Sequence, residues 1–103
     1  MISLIESNRL FLQDLCRRYG VQRLELFGSA ATEAFDQVRS DLDFLVEFLP
    51  DQQLGPWLRH YFDFQTELAR LFGRPVDLVL SGAIRNPYFQ RELDRTRTVL
   101  YAA

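Results

Sequence analysis

The sequence predicts an α/β (α+β) fold in which a mixed β-sheet packs against helices. Residues 41–48 and 75–80 alternate between two faces in the manner of strands, and 22–27 contains the apolar run LELF. Helix-like segments separate these strands, an order typical of layered α/β or α+β folds. Hydrophobic residues make up 48% of the 103 residues, and aromatic residues 14%, which supplies one core. We therefore expect residues 1–103 to form a single domain.

The chain begins with a predicted amphipathic helix over residues 3–19, and a strand over 22–27 follows it. Apolar residues recur at spacings of three and four along the helix, and Gly20 ends it. Cys16 belongs to this apolar set, so we interpret it as a core residue rather than a nucleophile. The full set is Leu4, Ile5, Phe11, Leu12, Leu15, Cys16 and Tyr19.

A Gly28-Ser29 turn follows the first strand. Gly28 lets the backbone come close to a ligand, and Ser29 offers a hydroxyl group. A short helix is expected to begin at Ser29, where the free N–H groups of a first helical turn suit a phosphate. Residues 35–40 are predicted to form a loop that leads back to the sheet.

Two aspartates stand on one face of the second predicted strand, residues 41–48. Strand alternation puts Leu42 and Phe44 on one side and Asp41 and Asp43 on the other. At a rise of about 3.3 Å per residue, the Cα atoms of the two aspartates lie roughly 7 Å apart. Carboxylates at that spacing can reach the same divalent cation, so the pattern indicates a metal site.

A second long helix is predicted to open at Gly55-Pro56 and to end at Gly73. Its broad apolar stripe is interpreted as core, with base stacking by an aromatic ring, Trp57 or Tyr61, as the alternative. The stripe consists of Trp57, Leu58, Tyr61, Phe62, Gln65, Leu68, Leu71 and Phe72.

The third predicted strand, residues 75–80, carries one acid. Asp77 alternates with Val76 and Leu78, and we expect it to face the same way as the two aspartates of the second strand. Asn86-Pro87 then reads as a helix start, with the helix running to about Arg95. Residues 98–101 are too few to classify.

The composition narrows the functional classes. A net charge of −2 and a pI near 5.3 argue against a dedicated nucleic-acid binder. The single cysteine excludes an intramolecular disulfide framework, and the single histidine, His60, excludes a histidine-based metal cluster. The sequence holds no apolar run of membrane-spanning length and no basic signal-peptide start, so we expect a cytoplasmic protein.

The ordered set of motifs resembles the nucleotidyltransferase superfamily of DNA polymerase beta. Gly28-Ser29 is followed after eleven residues by Asp41-Leu42-Asp43, and a later strand bears Asp77. The short chain resembles the minimal branch of that superfamily, and the resemblance covers roughly residues 21–101. It implies a nucleotidyltransferase-type mixed sheet. Many such small proteins are encoded beside a HEPN-domain protein as toxin–antitoxin pairs.

The resemblance also implies a reaction and a set of roles. The reaction would be transfer of AMP from ATP, with Mg²⁺, to a protein hydroxyl, most readily a tyrosine of a HEPN toxin. The acids that would bind metal and catalyse are Asp41, Asp43 and Asp77. The residues that would bind the nucleotide are Gly28, Ser29, Arg39 and Ser40.

One departure from the family pattern keeps a second hypothesis open. Many members have a basic, glycine-containing run after Gly-Ser, whereas this chain has Ala30-Ala31-Thr32-Glu33. Arg39 could partly replace the missing positive charge. The departure favours the alternative of a non-catalytic antitoxin that neutralises its partner by binding. Transfer to a small molecule such as an aminoglycoside is a third hypothesis, disfavoured because a chain this short has no second domain to form an acceptor pocket.

Overall fold

A computed structural model describes residues 3–28 and 41–103. In chain order the elements are α1 (Ser3–Ser7), α2 (Arg9–Arg18), β1 (Val21–Phe27), β2 (Leu42–Phe48), α3 (Arg59–Phe72), β3 (Val76–Leu80), α4 (Pro87–Thr96) and β4 (Thr98–Ala102). Short 3₁₀ turns at Pro56–Leu58 and Ser81–Ala83 precede α3 and α4.

The strands form one mixed sheet in the order β3-β2-β1-β4. The pairs β1–β2 and β1–β4 are antiparallel, whereas β2 and β3 are parallel. The connection between the two parallel strands passes through α3, as parallel pairing requires a crossover. The predicted mixed sheet with helices packed against it is confirmed. The unclassified segment 98–101 belongs to β4, at the edge of the sheet.

The main core lies between one face of the sheet and the first three helices. Leu42, Phe44 and Val46 from β2 pack there with buried residues of α2 and α3. Cys16 is part of this core, and its burial raises the pKa of the thiol to about 12, so the thiol stays protonated at neutral pH. The interpretation of Cys16 as a core residue is confirmed.

A smaller apolar cluster covers part of the opposite face. Leu93 of α4 packs against Phe27 and Leu45, with Val79 and Ile84 partly buried beside them. Asn86 caps α4 as predicted, because its side-chain oxygen accepts hydrogen bonds from the N–H groups of the first helical turn. This cluster does not cover the end of the face near the start of β2 and β3, where acidic residues lie.

The predicted helix over residues 3–19 is wrong as a single element. It divides into α1 and α2 at Asn8, whose φ and ψ angles of −113° and 14° are not helical. The Asn8 side chain donates a hydrogen bond to the carbonyl oxygen of Leu4, and asparagine competes with helical backbone bonding in this way. Phe11, assigned to the apolar stripe, is 68% exposed, because Leu12, Leu15 and Cys16 define the buried side of α2.

The predicted second long helix is also broken near its start. Trp57 and Leu58 both have φ of 56°, so the Pro56–Leu58 turn does not continue into α3. The prediction placed three residues on the buried stripe that are exposed in the structure: Trp57 is 94% exposed, and Leu58 and Phe62 are exposed as well. The end of the helix is confirmed, since Gly73 caps α3 in the left-handed conformation.

Within the described residues, none of the helices is long and apolar enough to cross a membrane.

Candidate active site

Parallel pairing of β2 with β3 places two of the predicted acids side by side. Asp43 is the direct register partner of Asp77, and their neighbours Leu42 and Val76 pair in the same register. Since side chains alternate along a strand, both carboxylates lie on the sheet face opposite the main core. Asp43 is half-buried and Asp77 is exposed at the edge of the sheet.

The two carboxyl groups interact with one another. Burial, a hydrogen bond with Asp77 and the negative charges of Asp77 and Asp41 together raise the pKa of Asp43 from 3.8 to about 6. Two carboxylates in contact cannot both ionise without cost, so the pair favours a shared proton or an added cation. This charge crowding is the main electrostatic feature of the site.

Asp41 lies next to the pair without being part of the strand. β2 begins at Leu42, so Asp41 precedes it and is exposed. Its charge contributes to the raised pKa of Asp43, which shows that the two groups are within electrostatic reach. No group of three or more His, Cys, Asp or Glu side chains is arranged to hold a metal ion in the parts of the chain that are described.

Gly28 closes the site from the side of β1. Phe27, the last residue of β1, pairs with Asp43, and Gly28 follows with φ of 73°. A Cβ atom at this position would lie only 2.5 Å from Oδ2 of Asp43. A glycine is therefore required both by the backbone conformation and by the closeness of the carboxylate.

Thr96, at the end of α4, completes the local geometry. The Gly28 N–H donates a hydrogen bond of 3.0 Å to Oγ1 of Thr96, and this hydroxyl donates to the carbonyl oxygen of Glu92 within the helix. The turn after β1 is thereby tied to α4. In this arrangement the missing side chain of Gly28 leaves space beside Asp43, while the Gly28 N–H already has an acceptor.

Sequence reasoning missed Thr96 and a second link between the same elements. Arg97 donates two hydrogen bonds to the Glu25 carboxylate, at 3.1 Å to Oε1 and 2.6 Å to Oε2. Glu25 is only 2% exposed, and its bonding raises the pKa of Arg97. Strand alternation could have placed Glu25 on the face of Asp43, but no local pattern identifies a partner so distant in the chain.

Three of the predicted nucleotide-binding residues, Ser29, Arg39 and Ser40, lie outside the described residues. The same holds for the altered run from Ala30 to Glu33, for the short helix expected at Ser29 and for the loop expected over residues 35–40. The site that the structure shows therefore consists of Gly28, Asp41, Asp43, Asp77 and Thr96.

The donor set of this site fits a divalent cation such as Mg²⁺. Mg²⁺ prefers carboxylate oxygens and is usually held by one or two carboxylates together with substrate phosphates, which does not require a complete cage of protein ligands. Asp43 and Asp77 supply two adjacent carboxyl groups. Burial and the neighbouring carboxylates raise the pKa of Asp43, and a bound cation would favour its ionised form. Burial and the negative charge of Asp77 both raise the pKa of Tyr61.

The chain is similar in sequence to proteins with nucleotidyltransferase features. The family described as "Nucleotidyltransferase domain" matches residues 9–99. A protein of Methanocaldococcus jannaschii that bears the provisional name of protein adenylyltransferase is 36% identical over 80 residues, which cover 78% of this chain and 76% of the relative.

Solved structures share the fold. One, provisionally described as a minimal nucleotidyltransferase, superposes with a TM-score of 0.72 at 27% identity, covering 94% of this chain and 95% of that chain. Another contains the tri-AMPylated HEPN toxin of Shewanella oneidensis in complex with the MNT antitoxin, with a TM-score of 0.64 at 20% identity, covering 95% of this chain and 72% of the matched chain.

Proposed function

The chain belongs to the nucleotidyltransferase domain family, and on that premise we propose that it transfers AMP from ATP to a hydroxyl group of a HEPN-domain toxin and so acts as its antitoxin. The observation that supports this most strongly is the pairing of Asp43 with Asp77 beside Gly28 on an open sheet face. The named relatives support the type of reaction and the type of partner.

In the proposed reaction an oxygen of the acceptor hydroxyl forms a bond to the α-phosphorus of ATP, and the bond from that phosphorus to the pyrophosphate breaks. The acceptor hydroxyl would lose its proton to Asp77, the exposed member of the acidic pair. Bound Mg²⁺ would supply stabilisation of negative charge on the phosphate oxygens. Asp41, Asp43 and Asp77 would hold it.

The remaining residues would position the nucleotide. Gly28 leaves room for a phosphate next to the acidic pair, and we propose Ser29, Arg39 and Ser40 as further triphosphate contacts. Thr96 holds the backbone N–H of Gly28 at the end of β1. Exposed Asp77 would face the acceptor, because it lies at the sheet edge rather than under a helix.

Intact-mass spectrometry tests the proposal directly. The chain is co-expressed with a HEPN-domain protein, and the mass of that protein is compared with and without the chain. We expect a gain of one or more AMP units with the wild type and none with Asp77→Asn, which keeps the shape of the side chain. Glu47→Gln serves as the control, because Glu47 is an exposed acid of the same strand face beyond the pair.

A binding-only antitoxin is the second candidate, and the run Ala30-Ala31-Thr32-Glu33, which lacks the basic residues of the family pattern, favours it. In that case the partner keeps its original mass, and the double variant Asp43→Asn/Asp77→Asn protects cells from the toxin as well as the wild type does. Full protection without any mass gain would contradict AMP transfer as the function.

A further inference from the structure

The acid-bearing strand β3 is an edge strand that α3 holds through its backbone. β3 pairs with β2 on one side only. On its other side, Nε2 of Gln65 donates a hydrogen bond of 2.8 Å to the carbonyl oxygen of Val76, and the hydroxyl of Tyr61 donates a short hydrogen bond to the carbonyl oxygen of Leu78. Both donors come from one face of α3, since they are four residues apart.

The two carbonyl groups flank Asp77 directly. Val76 and Leu78 also turn their side chains into the main core, whereas the Asp77 side chain lies on the opposite face. The Val76–Asp77 and Leu78–Val79 peptide units are thus held by side chains of α3. A small rotation of the strand about its axis would move the Asp77 carboxylate away from Asp43, and these two hydrogen bonds oppose that rotation.

We propose that Tyr61 and Gln65 are positioning residues that hold Asp77 in register with Asp43 for metal and nucleotide. This inference rests on the proposed function, in that Asp77 must take part in the chemistry. It assigns a functional purpose to contacts that would otherwise only protect a sheet edge. The distinction is testable, because edge protection affects folding and solubility but leaves the acidic pair unchanged.

The test uses Tyr61→Phe, Gln65→Met and the double variant, each of which removes a donor while nearly preserving side-chain volume. Thr66→Val is the matched control: the Thr66 hydroxyl, on the same helix, donates to the carbonyl oxygen of Phe62 within α3 and does not contact β3. Thermal unfolding of every variant sets a temperature at which all of them are folded.

Two readouts are then compared with the wild type. Calorimetry follows the binding of the non-hydrolysable ATP analogue AMP-PNP over a Mg²⁺ series, and mass spectrometry follows AMP transfer to the HEPN-domain protein. We expect the double variant to need about 10-fold more Mg²⁺ for half-maximal binding, and to lose about 10-fold in kcat with little change in the KM for ATP, a size typical of residues that orient metal ligands. Thr66→Val should match the wild type in both readouts.

The outcomes separate the two proposals. If the wild type transfers AMP and the double variant equals it in kcat and Mg²⁺ dependence, the positioning role is wrong while the proposed function stands. The wild type could transfer no AMP while the double variant still needs more Mg²⁺ than the wild type for half-maximal AMP-PNP binding. In that case the positioning role stands and the proposed acceptor or reaction is wrong. Binding that is indifferent to Mg²⁺ in the wild type overturns both.

Discussion

At Gly28, the left-handed backbone conformation and the closeness of the Asp43 carboxylate both require a glycine. Gly28→Ala should lower stability by roughly 1–2 kcal/mol through the left-handed conformation alone, and should displace Asp43, because the new Cβ would meet its Oδ2. We therefore expect loss of AMP transfer together with loss of stability. Urea unfolding and the transfer assay measure the two effects.

Gly73→Ala is the control for this prediction. Gly73 has φ of 66°, but a Cβ there would have no atom within 4 Å. The strain should lower stability by about 1 kcal/mol with no effect on transfer. If both alanine variants lost transfer equally, backbone strain rather than contact with Asp43 would explain the effect at Gly28.

The raised pKa of Asp43 predicts how stability depends on pH. Between 3.8 and about 6, the folded state retains a proton that the unfolded state has released, so stability falls as the pH rises through this window. Asp43→Asn has no such proton. Its stability relative to the wild type should therefore increase from about pH 4 to about pH 7, as measured by urea unfolding in the presence of a chelator. A constant difference across that range would show that the carboxyl group titrates normally.

Substitutions at two neighbouring residues of β3, Asp77 and Leu78, should affect activity and stability separately. Asp77→Ala should abolish AMP transfer and leave stability similar or slightly higher, because it removes repulsion from Asp43. Leu78→Ala should destabilise the fold by roughly 2–5 kcal/mol, since Leu78 is 6% exposed in the main core. Thermal unfolding and the transfer assay on both variants test this. Unfolding of Asp77→Ala would give Asp77 a structural role instead.

The Glu25–Arg97 pair joins β1 to the segment between α4 and β4. Arg97→Met should destabilise the protein by less than the roughly 3–5 kcal/mol of a broken buried pair, because the Arg97 side chain is 34% exposed and Arg23 still lies 3.5 Å from the Glu25 carboxylate. The double variant Glu25→Met/Arg97→Met should recover part of this loss. A double variant as unstable as the sum of the single variants would mean that packing, not the unpaired charge, determines the cost.

At the scale of elements, the sequence predicted strands and helices correctly where the spacing of their apolar residues is uninterrupted. Alternation correctly separated Leu42, Phe44 and Val46 from Asp43 and Glu47, because β2 is regular. It failed where a local side-chain or backbone preference interrupts a helix, at Asn8 and at Trp57-Leu58. Periodicity carries no information about such interruptions, and Phe11, Trp57, Leu58 and Phe62 were assigned to the buried side although they are exposed.

For the whole molecule, the candidate site could be predicted in its parts but not in its arrangement. The common face of Asp43 and Asp77 follows from strand alternation together with family resemblance. Their direct pairing depends on the register that the crossover through α3 imposes on β3, and no local pattern sets that register. Thr96 and Arg97 were missed for the same reason, since each contacts a residue that is distant in the chain.

The crossover between β2 and β3 also determines when the site comes into existence. Parallel strands pair only after the intervening helix has docked, and such non-local pairing carries a large chain-entropy cost during folding. A nascent or partly folded chain therefore has separate aspartates but no nucleotide site. Saturating Mg²⁺ and ATP should slow unfolding and leave the refolding rate nearly unchanged, because the ligand stabilises contacts that form after the transition state. Under the proposed function, bound nucleotide would then slow the loss of the folded protein without changing how fast it forms.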